Sequence, residues 1–344
     1  MAQTAFLRGP KLPRFLKHLS QQFDVYIPVK KKNRRIFEKA GATSDPPMLG
    51  EVRTFEPLKA FFSRAREKVA EDFKIDAPLP PSKPTAVFGA KACDLKGFKI
   101  QDFVFQDHGT KDPFYVHSRS QNLIIGADCT FAIDTCFCVA LGLEPHPTED
   151  FDLNFSDSKD GFFVEAGSAR GETILKEHPS LFETPTEENI KERNAQRARV
   201  LKAVEENLIK FSVPKEDSFP GIIERNWVSP LWEEEAATCV ECGACTNICP
   251  TCHCFFLYDQ QDESQMNRMR IWDSCLLKDY ARVAGGGNPR KKLWMRLRNR
   301  FEKKFDYFPK VAEVTACTGC GRCITACPAK IDIRRVLKKL VGHA

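Results

Sequence analysis

A spacing of cysteines that occurs twice constrains this chain more than any other feature of its sequence. Each copy reads C-x2-C-x2-C-x3-C-P, and the two copies begin at Cys239 and Cys317. Short spacings of this kind, closed by a proline, are typical of bacterial ferredoxins, in which the fourth cysteine of each motif ligates the cluster of the other. We therefore expect two 4Fe-4S clusters, the first held by Cys239, Cys242, Cys245 and Cys327 and the second by Cys317, Cys320, Cys323 and Cys249.

The residues between the cysteines suit a tight loop. Gly243, Gly319 and Gly321 permit backbone angles that bring N–H groups close to the sulfurs. We expect the fourth cysteine of each motif to begin a helix, with Pro250 and Pro328 in the first turn, where a missing N–H costs nothing. Zinc is the alternative metal, but structural zinc sites use two separated pairs of ligands. Soft thiolates without an open coordination position indicate electron transfer.

Seven of the fifteen cysteines lie outside the two motifs. Four of these follow predicted strands in the N-terminal half: Cys93, Cys129, Cys136 and Cys138. They could hold a third 4Fe-4S cluster, but buried cysteine also packs as a small apolar residue. The residues alone favour neither interpretation over the other. Cys252, Cys254 and Cys275, with His253, could bind a metal, although packing beside a cluster is the interpretation that we favour.

The apolar pattern predicts an α/β domain over residues 1–225 and an α+β, bacterial-ferredoxin-like dicluster domain over residues 226–344, with an insertion between the two motifs. Short apolar runs bounded by Gly, Pro and Asp predict strands at residues 25–29, 86–90, 123–126 and 162–165. Apolar residues at helical spacing predict helices over residues 56–72 and 187–210. The proposed boundary follows a stretch rich in proline and acidic residues.

Length and composition limit the class of protein. A chain of 344 residues has room for two domains. No stretch approaches the roughly 20 apolar residues of a membrane span, and the N-terminus lacks the pattern of a secretory signal. Fifteen cysteines in such a chain indicate metal binding more than disulfides. We therefore expect a cytoplasmic protein.

A basic segment between residues 290 and 304 stands out, because eight lysines and arginines fall there in a chain of net charge +6. Leu293, Trp294, Leu297 and Phe301 interleave with them at helical spacing. The segment could be a solvated amphipathic helix. A nucleic-acid surface is disfavoured, because the pI of 8.5 is modest and no recognition motif accompanies it. We prefer a role in offsetting the negative charge of a cluster or in docking an acidic partner.

Several motifs together resemble the iron–sulfur β subunit of cytoplasmic sulfhydrogenases and the corresponding iron–sulfur subunit of anaerobic sulfite reductase. Beside the two ferredoxin motifs, the resemblance is carried by segments spread over most of the chain: residues 57–59, 88–94, 129, 136–138, 249–254, 272–275 and 284–290. Cys93, Cys129, Cys136 and Cys138 look like family positions, so the resemblance favours the third cluster. It also implies a hetero-oligomer in which this subunit relays electrons from or to a flavoprotein that handles NAD(P)H. The terminal partner would be a hydrogenase, a sulfite reductase or a heterodisulfide-reductase-type assembly.

Our hypothesis is accordingly an electron-transfer subunit with no catalytic residues of its own. No flavin, nicotinamide or nucleotide fingerprint is present, and the glycines at 285–287 indicate a turn. The alternative is a self-sufficient reductase with a flavin or sulfur-substrate site in the N-terminal domain. A third class of protein is an iron–sulfur protein that binds nucleic acid. Strong, salt-dependent binding to DNA would be needed to support it.

Overall fold

The computed structural model of the protein describes residues 3–43, 45–72, 74, 83–262 and 265–342. The strands in these residues are β1 Thr4–Arg8, β2 Asp24–Lys31, β3 Arg34–Lys39, β4 Arg66–Glu71, β5 Thr85–Ala90, β6 Leu123–Ala127, β7 Leu153–Ser158, β8 Gly161–Ala166, β9 Phe182–Glu183, β10 Phe255–Asp262 and β11 Gln265–Trp272. The α-helices are α1 Leu12–Gln22, α2 Ala92–Asp102, α3 Pro113–Gln121, α4 Ala169–Glu177, α5 Glu187–Phe211, α6 Ile222–Arg225, α7 Leu231–Ala236, α8 Ala244–Asn247, α9 Leu293–Glu302, α10 Phe308–Ala312, α11 Arg322–Ala326 and α12 Ile333–Gly342.

An eight-stranded mixed sheet organises the N-terminal half. Its strands lie in the order β3-β2-β5-β6-β7-β8-β1-β9. The central neighbours β2, β5, β6 and β7 run parallel, and the outer pairs are antiparallel. Every residue of β6 and nearly every residue of β5 is buried, as expected for parallel strands covered on both faces. The four predicted strands are confirmed as β2, β5, β6 and β8.

Of the two predicted helices, one is confirmed and one is wrong. The confirmed one is α5, which begins after a capping box between Thr186 and Asn189 and is followed by the C-cap residue Ser212, whose backbone is left-handed (φ 48°). The helix predicted over residues 56–72 is absent: a 3-10 turn at Leu58–Phe61 is followed by β4. Strand β4 forms because it pairs antiparallel with β11, which lies about two hundred residues later in the chain. Local spacing cannot indicate such a distant partner.

The C-terminal half contains the two ferredoxin motifs and is mainly helical. Between the motifs, the hairpin β10–β11 joins β4 in a separate three-stranded antiparallel sheet. Trp232, Phe301, Phe305 and Leu337 are buried in the core formed by the surrounding helices. None of the helices in the described residues is long and apolar enough to cross a bilayer. The molecule thus combines a mixed α/β N-terminal region with a C-terminal cysteine-motif region.

The short helices of the two motifs differ from the sequence prediction. Helices α8 and α11 lie before the fourth cysteine of their motifs, and each follows a glycine with positive φ, Gly243 at 69° and Gly321 at 68°. Pro250 and Pro328 lie in turns, so the helix predicted to begin at each fourth cysteine is wrong. At Cys327 the backbone becomes extended (ψ 115°), which ends α11 before the proline.

Candidate cluster-binding sites

Five motif cysteines line one cavity: Cys239, Cys242, Cys245 and Cys327, here called the first set, and also Cys323. Leu276, Leu297 and Ile333 form apolar walls around it. Burial raises the pKa of the Cys239 and Cys245 thiols, and the charge of nearby Cys327 raises both further. The fourth cysteine of the second motif therefore lies beside the first three cysteines of the first motif. Crossed ligation by these four cysteines stays a prediction of the spacing, because Cys323 lines the cavity as well.

The reciprocal crossing is predicted for Cys249, Cys317, Cys320 and Cys323, here called the second set. Burial raises the pKa of Cys317 to about 11 and that of Cys323 to about 12, and the charge of Cys249 raises both. Cys249 and Cys317 are buried, whereas Cys320 and Cys323 are half-buried. Since thiolates are the form that binds iron, a cluster at either set must displace the thiol protons that burial favours.

The remaining predicted ligands meet at the carboxyl edge of the parallel strands. Cys93 lies in the first turn of α2, immediately after β5, and Cys129 follows β6 by two residues. Because β5 and β6 are parallel neighbours, their carboxyl ends lie at the same edge of the sheet. Together with Cys136 and Cys138, these residues line one cavity and form the N-terminal set. Asn207 of α5 holds the loop between them by donating to the carbonyl oxygens of Ile133 (2.8 Å) and Cys136 (3.2 Å).

The N-terminal set and the second set are in backbone contact. The amide of Phe137 donates to the carbonyl of Gly319 over 2.9 Å. Gly319 has φ 61°, and a Cβ atom there would lie 2.5 Å from the backbone nitrogen of Cys138. Cys320 also lines the N-terminal cavity. The loop of the second motif therefore forms part of the wall of the N-terminal site.

Buried cations surround the cysteines of the N-terminal cavity. The Lys91 ammonium donates to the carbonyl oxygens of Asp128 (2.9 Å) and Leu49, and its charge partly offsets the burial that raises the pKa of Cys129 to about 11. Arg322 is fully buried and pairs with Asp94 of α2 at 2.8 Å. Cations in such positions can compensate a cluster whose thiolates and sulfides carry net negative charge. The arrangement therefore fits an anionic iron–sulfur cluster.

The basic segment places two more buried cations, Arg300 and Lys304, near the cysteines. The Lys304 ammonium donates to Sγ of Cys249 (3.3 Å), to Oγ1 of Thr251 (2.9 Å) and to the carbonyl of Ala316 (2.8 Å). Burial lowers the pKa of the Arg300 guanidinium, but the charges of nearby cysteines, Cys245 foremost, outweigh it and leave that pKa raised. Arg298, in contrast, lies over the ring of Trp227 at the surface. Only part of the segment faces the cysteines.

Sequence reasoning missed several of these polar residues. Arg53 donates to the carbonyl of Cys320, and Lys59 donates to the carbonyl of Cys252 (2.7 Å). The sequence could have indicated that Lys91 lies near the cysteines, because it precedes Cys93 by two residues at the end of a predicted strand. Arg53 and Lys59 are far from every cysteine in the sequence, and only the fold brings them close.

Comparison with known proteins agrees with this geometry. Residues 238–331, which include both motifs, match the model of the 4Fe-4S dicluster domain family. The chain is 33% identical over 342 residues to the sulfhydrogenase 2 subunit beta of Pyrococcus furiosus, and the match covers 97% of each chain. This chain belongs to the sulfhydrogenase beta-subunit family. The resemblance inferred from the motifs is thereby confirmed.

Family membership also bears on the cofactors. A dicluster domain implies two 4Fe-4S clusters, and the matched residues contain all eight motif cysteines. The N-terminal set lies outside the matched domain but within the full-length match to the sulfhydrogenase subunit. Its four cysteines are candidate ligands for a third cluster.

Proposed function

We propose that this sulfhydrogenase beta-subunit homologue is an electron-relay subunit of a hetero-oligomeric redox complex. It passes electrons through 4Fe-4S clusters between a flavoprotein that handles NAD(P)H and a terminal redox subunit. The first and second sets each ligate one cluster, and the N-terminal set ligates a third. We also propose that the relay domain is bacterial-ferredoxin-like and begins near residue 226. All of the catalytic chemistry then belongs to the partner subunits.

The single observation that carries this proposal is the way in which the three sets adjoin. Cys320 of the second set lines the N-terminal cavity, and Cys323 of the second set lines the cavity of the first set. Clusters held at these positions would be consecutive, with the second set in the middle. Consecutive clusters with saturated thiolate ligation suit the transfer of single electrons.

Both ends of this series approach the surface. Cys242 of the first set is exposed, and the neighbouring Val240 is 63% exposed. At the other end, Phe131 lines the N-terminal cavity and is 37% exposed. Two separate points of access support a relay with a donor and an acceptor on different faces.

The partners are proposed from the relative. The Pyrococcus furiosus protein is by its name the beta subunit of a sulfhydrogenase. A flavoprotein would supply the conversion between two-electron and one-electron transfer that iron–sulfur clusters lack. The terminal subunit is of the hydrogenase, sulfite-reductase or heterodisulfide-reductase class.

The third cluster can be tested by iron and sulfide analysis of anaerobically reconstituted full-length protein. Replacing Cys93 and Cys136 by serine should remove about four irons and about four sulfides per chain relative to wild type. The EPR signals of the other clusters should persist. Equal iron in the variant and in wild type would mean that the N-terminal cysteines only pack in the core.

The relay function can be tested by anaerobic co-purification of the tagged chain from its native cells. We expect the chains that co-purify to include a flavoprotein and a terminal redox subunit. NAD(P)H should reduce the clusters of the purified chain only after that flavoprotein is added. Bound flavin, or reduction by NAD(P)H without partners, would instead support a self-sufficient reductase.

A further inference from the structure

A separate cavity in the C-terminal half contains the three cysteines that the proposed relay does not use. Cys252, Cys254 and Cys275 line this cavity, whose volume is about 300 Å³. It is larger than either of the cavities lined by the first set and by the N-terminal set. Chance packing of three small side chains does not require such a space, so the cavity points to a ligand.

The inserted hairpin brings these cysteines together. Strand β10 begins directly after Cys254, and β11 ends three residues before Cys275. The register pairs Phe255 with Trp272, so the two ends of the hairpin lie side by side. One further bond continues the ladder, from the Asp273 amide to the Cys254 carbonyl over 2.9 Å. Cysteines about twenty residues apart in the sequence are thereby held around one cavity.

The walls of the cavity favour an anionic ligand. Arg300, Lys303 and Lys304 line it, and among the residues that the structure describes no aspartate or glutamate does. Asn299 and Arg300 are 2% and 5% exposed, yet Nδ2 of Asn299 and both Nε and Nη2 of Arg300 find no acceptor within the described residues. Buried donors of this kind normally have a partner. An anion in the cavity would supply the missing acceptors.

The thiols indicate what kind of anion this is. Thiolates select soft metals, and an iron–sulfur cluster is a soft, anionic group. A single zinc ion would need three ligand atoms within about 4 Å of each other. In the described part of the chain, no three His, Cys, Asp or Glu side chains converge in this way. A cubane accommodates the wider spacing, because each thiolate binds a different iron.

We propose that this cavity holds an additional 4Fe-4S cluster ligated by Cys252, Cys254 and Cys275, with a non-cysteine ligand on its fourth iron. Asn299 and Arg300, whose buried donors have no acceptor within the described residues, donate to its sulfides. This assignment goes beyond the proposed relay and accounts for the last of the fifteen cysteines.

His253 is the residue in the wall that suits the fourth iron. Its Nδ1 atom lies 3.1 Å from the carbonyl oxygen of Thr251, which can only accept, so Nδ1 carries the proton. Nε2 is then left with a free lone pair, the state in which imidazole binds metals. The His253→Ala variant should therefore change the EPR signal of this cluster without removing its iron.

The additional cluster would form a branch beside the relay. Arg300 lines both this cavity and the cavity of the first set. Cys252 directly follows Cys249-Pro250-Thr251 and shares the Lys304 environment of the second set. Electrons could therefore reach the branch from either ferredoxin-type cluster.

The test compares full-length reconstituted wild type with the double variant Cys254→Ser/Cys275→Ser. We expect the variant to lose about four irons and about four sulfides per chain while the EPR signals of the two ferredoxin-type clusters persist. Tyr280→Phe is the matched control, because it removes a hydroxyl 3.7 Å from Sγ of Cys254 but no thiolate. It should retain all of the iron.

A measurement on wild type keeps the test decisive if the double variant does not fold. Mild oxidation with ferricyanide takes one electron from a cubane that has one non-thiolate iron, releases that iron as Fe²⁺ and leaves a three-iron cluster. We expect its EPR signal in wild type and its loss in the single variant Cys254→Ser. Absence of this signal from wild type, or zinc in the site, would overturn the proposal. Wild type with fewer than about eight irons would instead contradict the proposed relay itself.

Discussion

Lys304 places its ammonium nitrogen 3.3 Å from the sulfur of Cys249, and both side chains are buried. A buried cation beside a ligand sulfur stabilises the more negative, reduced form of a cluster, because the low dielectric strengthens their attraction. In the first set, the contact to Cys327 is instead a backbone amide, that of Ile331, at 3.4 Å. We infer that Lys304 raises the reduction potential of the cluster ligated by Cys249, just as Arg300 places a buried cation in the wall of the first-set cavity.

Replacing Lys304 by methionine should therefore lower the potential of that cluster. The expected decrease is about 60 mV or more, which for one electron corresponds to about 1.4 kcal/mol. Lys303→Met is the matched control, because its ammonium lies over the ring of Tyr307, 3.9 Å from the centroid, and not against a cysteine of the second set. EPR-monitored redox titration measures both variants. Equal shifts in the two would show that only overall charge matters.

The crossed ligation makes a prediction about pairs of cysteines. Cys249→Ser and Cys317→Ser should perturb the same EPR signal, although the two residues belong to different motifs. Cys239→Ser and Cys327→Ser should perturb the other signal. If Cys249→Ser instead perturbed the same signal as Cys239→Ser, each motif would hold its own cluster and the assignment of the sets would be wrong.

The ion pair between Asp94 and Arg322 should stabilise the contact between the two halves of the chain. Arg322 also donates to the carbonyl of Thr54 at 3.0 Å, and Asp94 accepts from the amide of Leu58 at 3.1 Å. Arg322→Met leaves a buried carboxylate without its cation, so the free energy of unfolding should fall by about 3–5 kcal/mol. Chemical denaturation of the reconstituted protein measures this change.

A double variant shows whether the unpaired charge or the lost packing causes the instability of Arg322→Met. In Asp94→Leu/Arg322→Met neither charge is left unpaired, so most of the lost stability should return. A remaining deficit of about 1 kcal/mol is expected, because the Leu58 amide loses its acceptor. A double variant as unstable as the single one would show that packing around Arg322, and not charge, dominates.

Gly319 tests the backbone contact between the second motif and the N-terminal cysteine loop. Gly319→Ala adds a Cβ atom 2.5 Å from the backbone of Cys138, and it also forces alanine into a φ of 61°. Gly286→Ala is the matched control, since φ there is 79° but, its chain neighbours aside, no atom of the described residues lies within 4 Å of the new Cβ. In this control, the free energy of unfolding should fall by only about 1–2 kcal/mol, because alanine disfavours the left-handed backbone conformation.

Gly319→Ala should destabilise the protein more than Gly286→Ala does, because its new Cβ atom collides with Cys138. We expect a larger loss of stability than in the control, together with iron loss at the N-terminal and second sets. Thermal unfolding and iron analysis measure both. If the two glycine variants behaved alike, the close approach at Gly319 would not matter for either site.

Local patterns predicted the features that local interactions determine. The buried strands β5 and β6 have unbroken apolar runs, and α5 has both helical spacing and a cap, so the sequence identified all three. The motif spacing predicts which cysteines share a cluster because the ligand geometry of two cubanes is fixed, and this assignment stays a prediction. The helix predicted over residues 56–72 failed because β4 depends on pairing with β11.

The polar surroundings of the cysteines were harder to predict. Arg300 and Lys304 occur in a segment whose charge pattern equally suits a solvated helix, and burial of a cation has no local signal. The cavity of Cys252, Cys254 and Cys275 depends on the register of the hairpin, which only the folded chain defines. Sequence spacing therefore indicated the ligands of the motifs better than the groups that tune them.

EPR of the fully reduced, anaerobically reconstituted protein tests the relay most directly, because clusters in adjacent sets should interact magnetically. We predict a broadened spectrum of coupled clusters in wild type, which Cys249→Ser should simplify towards isolated signals. Uncoupled signals in wild type, or zinc with too little sulfide for two cubanes, would contradict the relay.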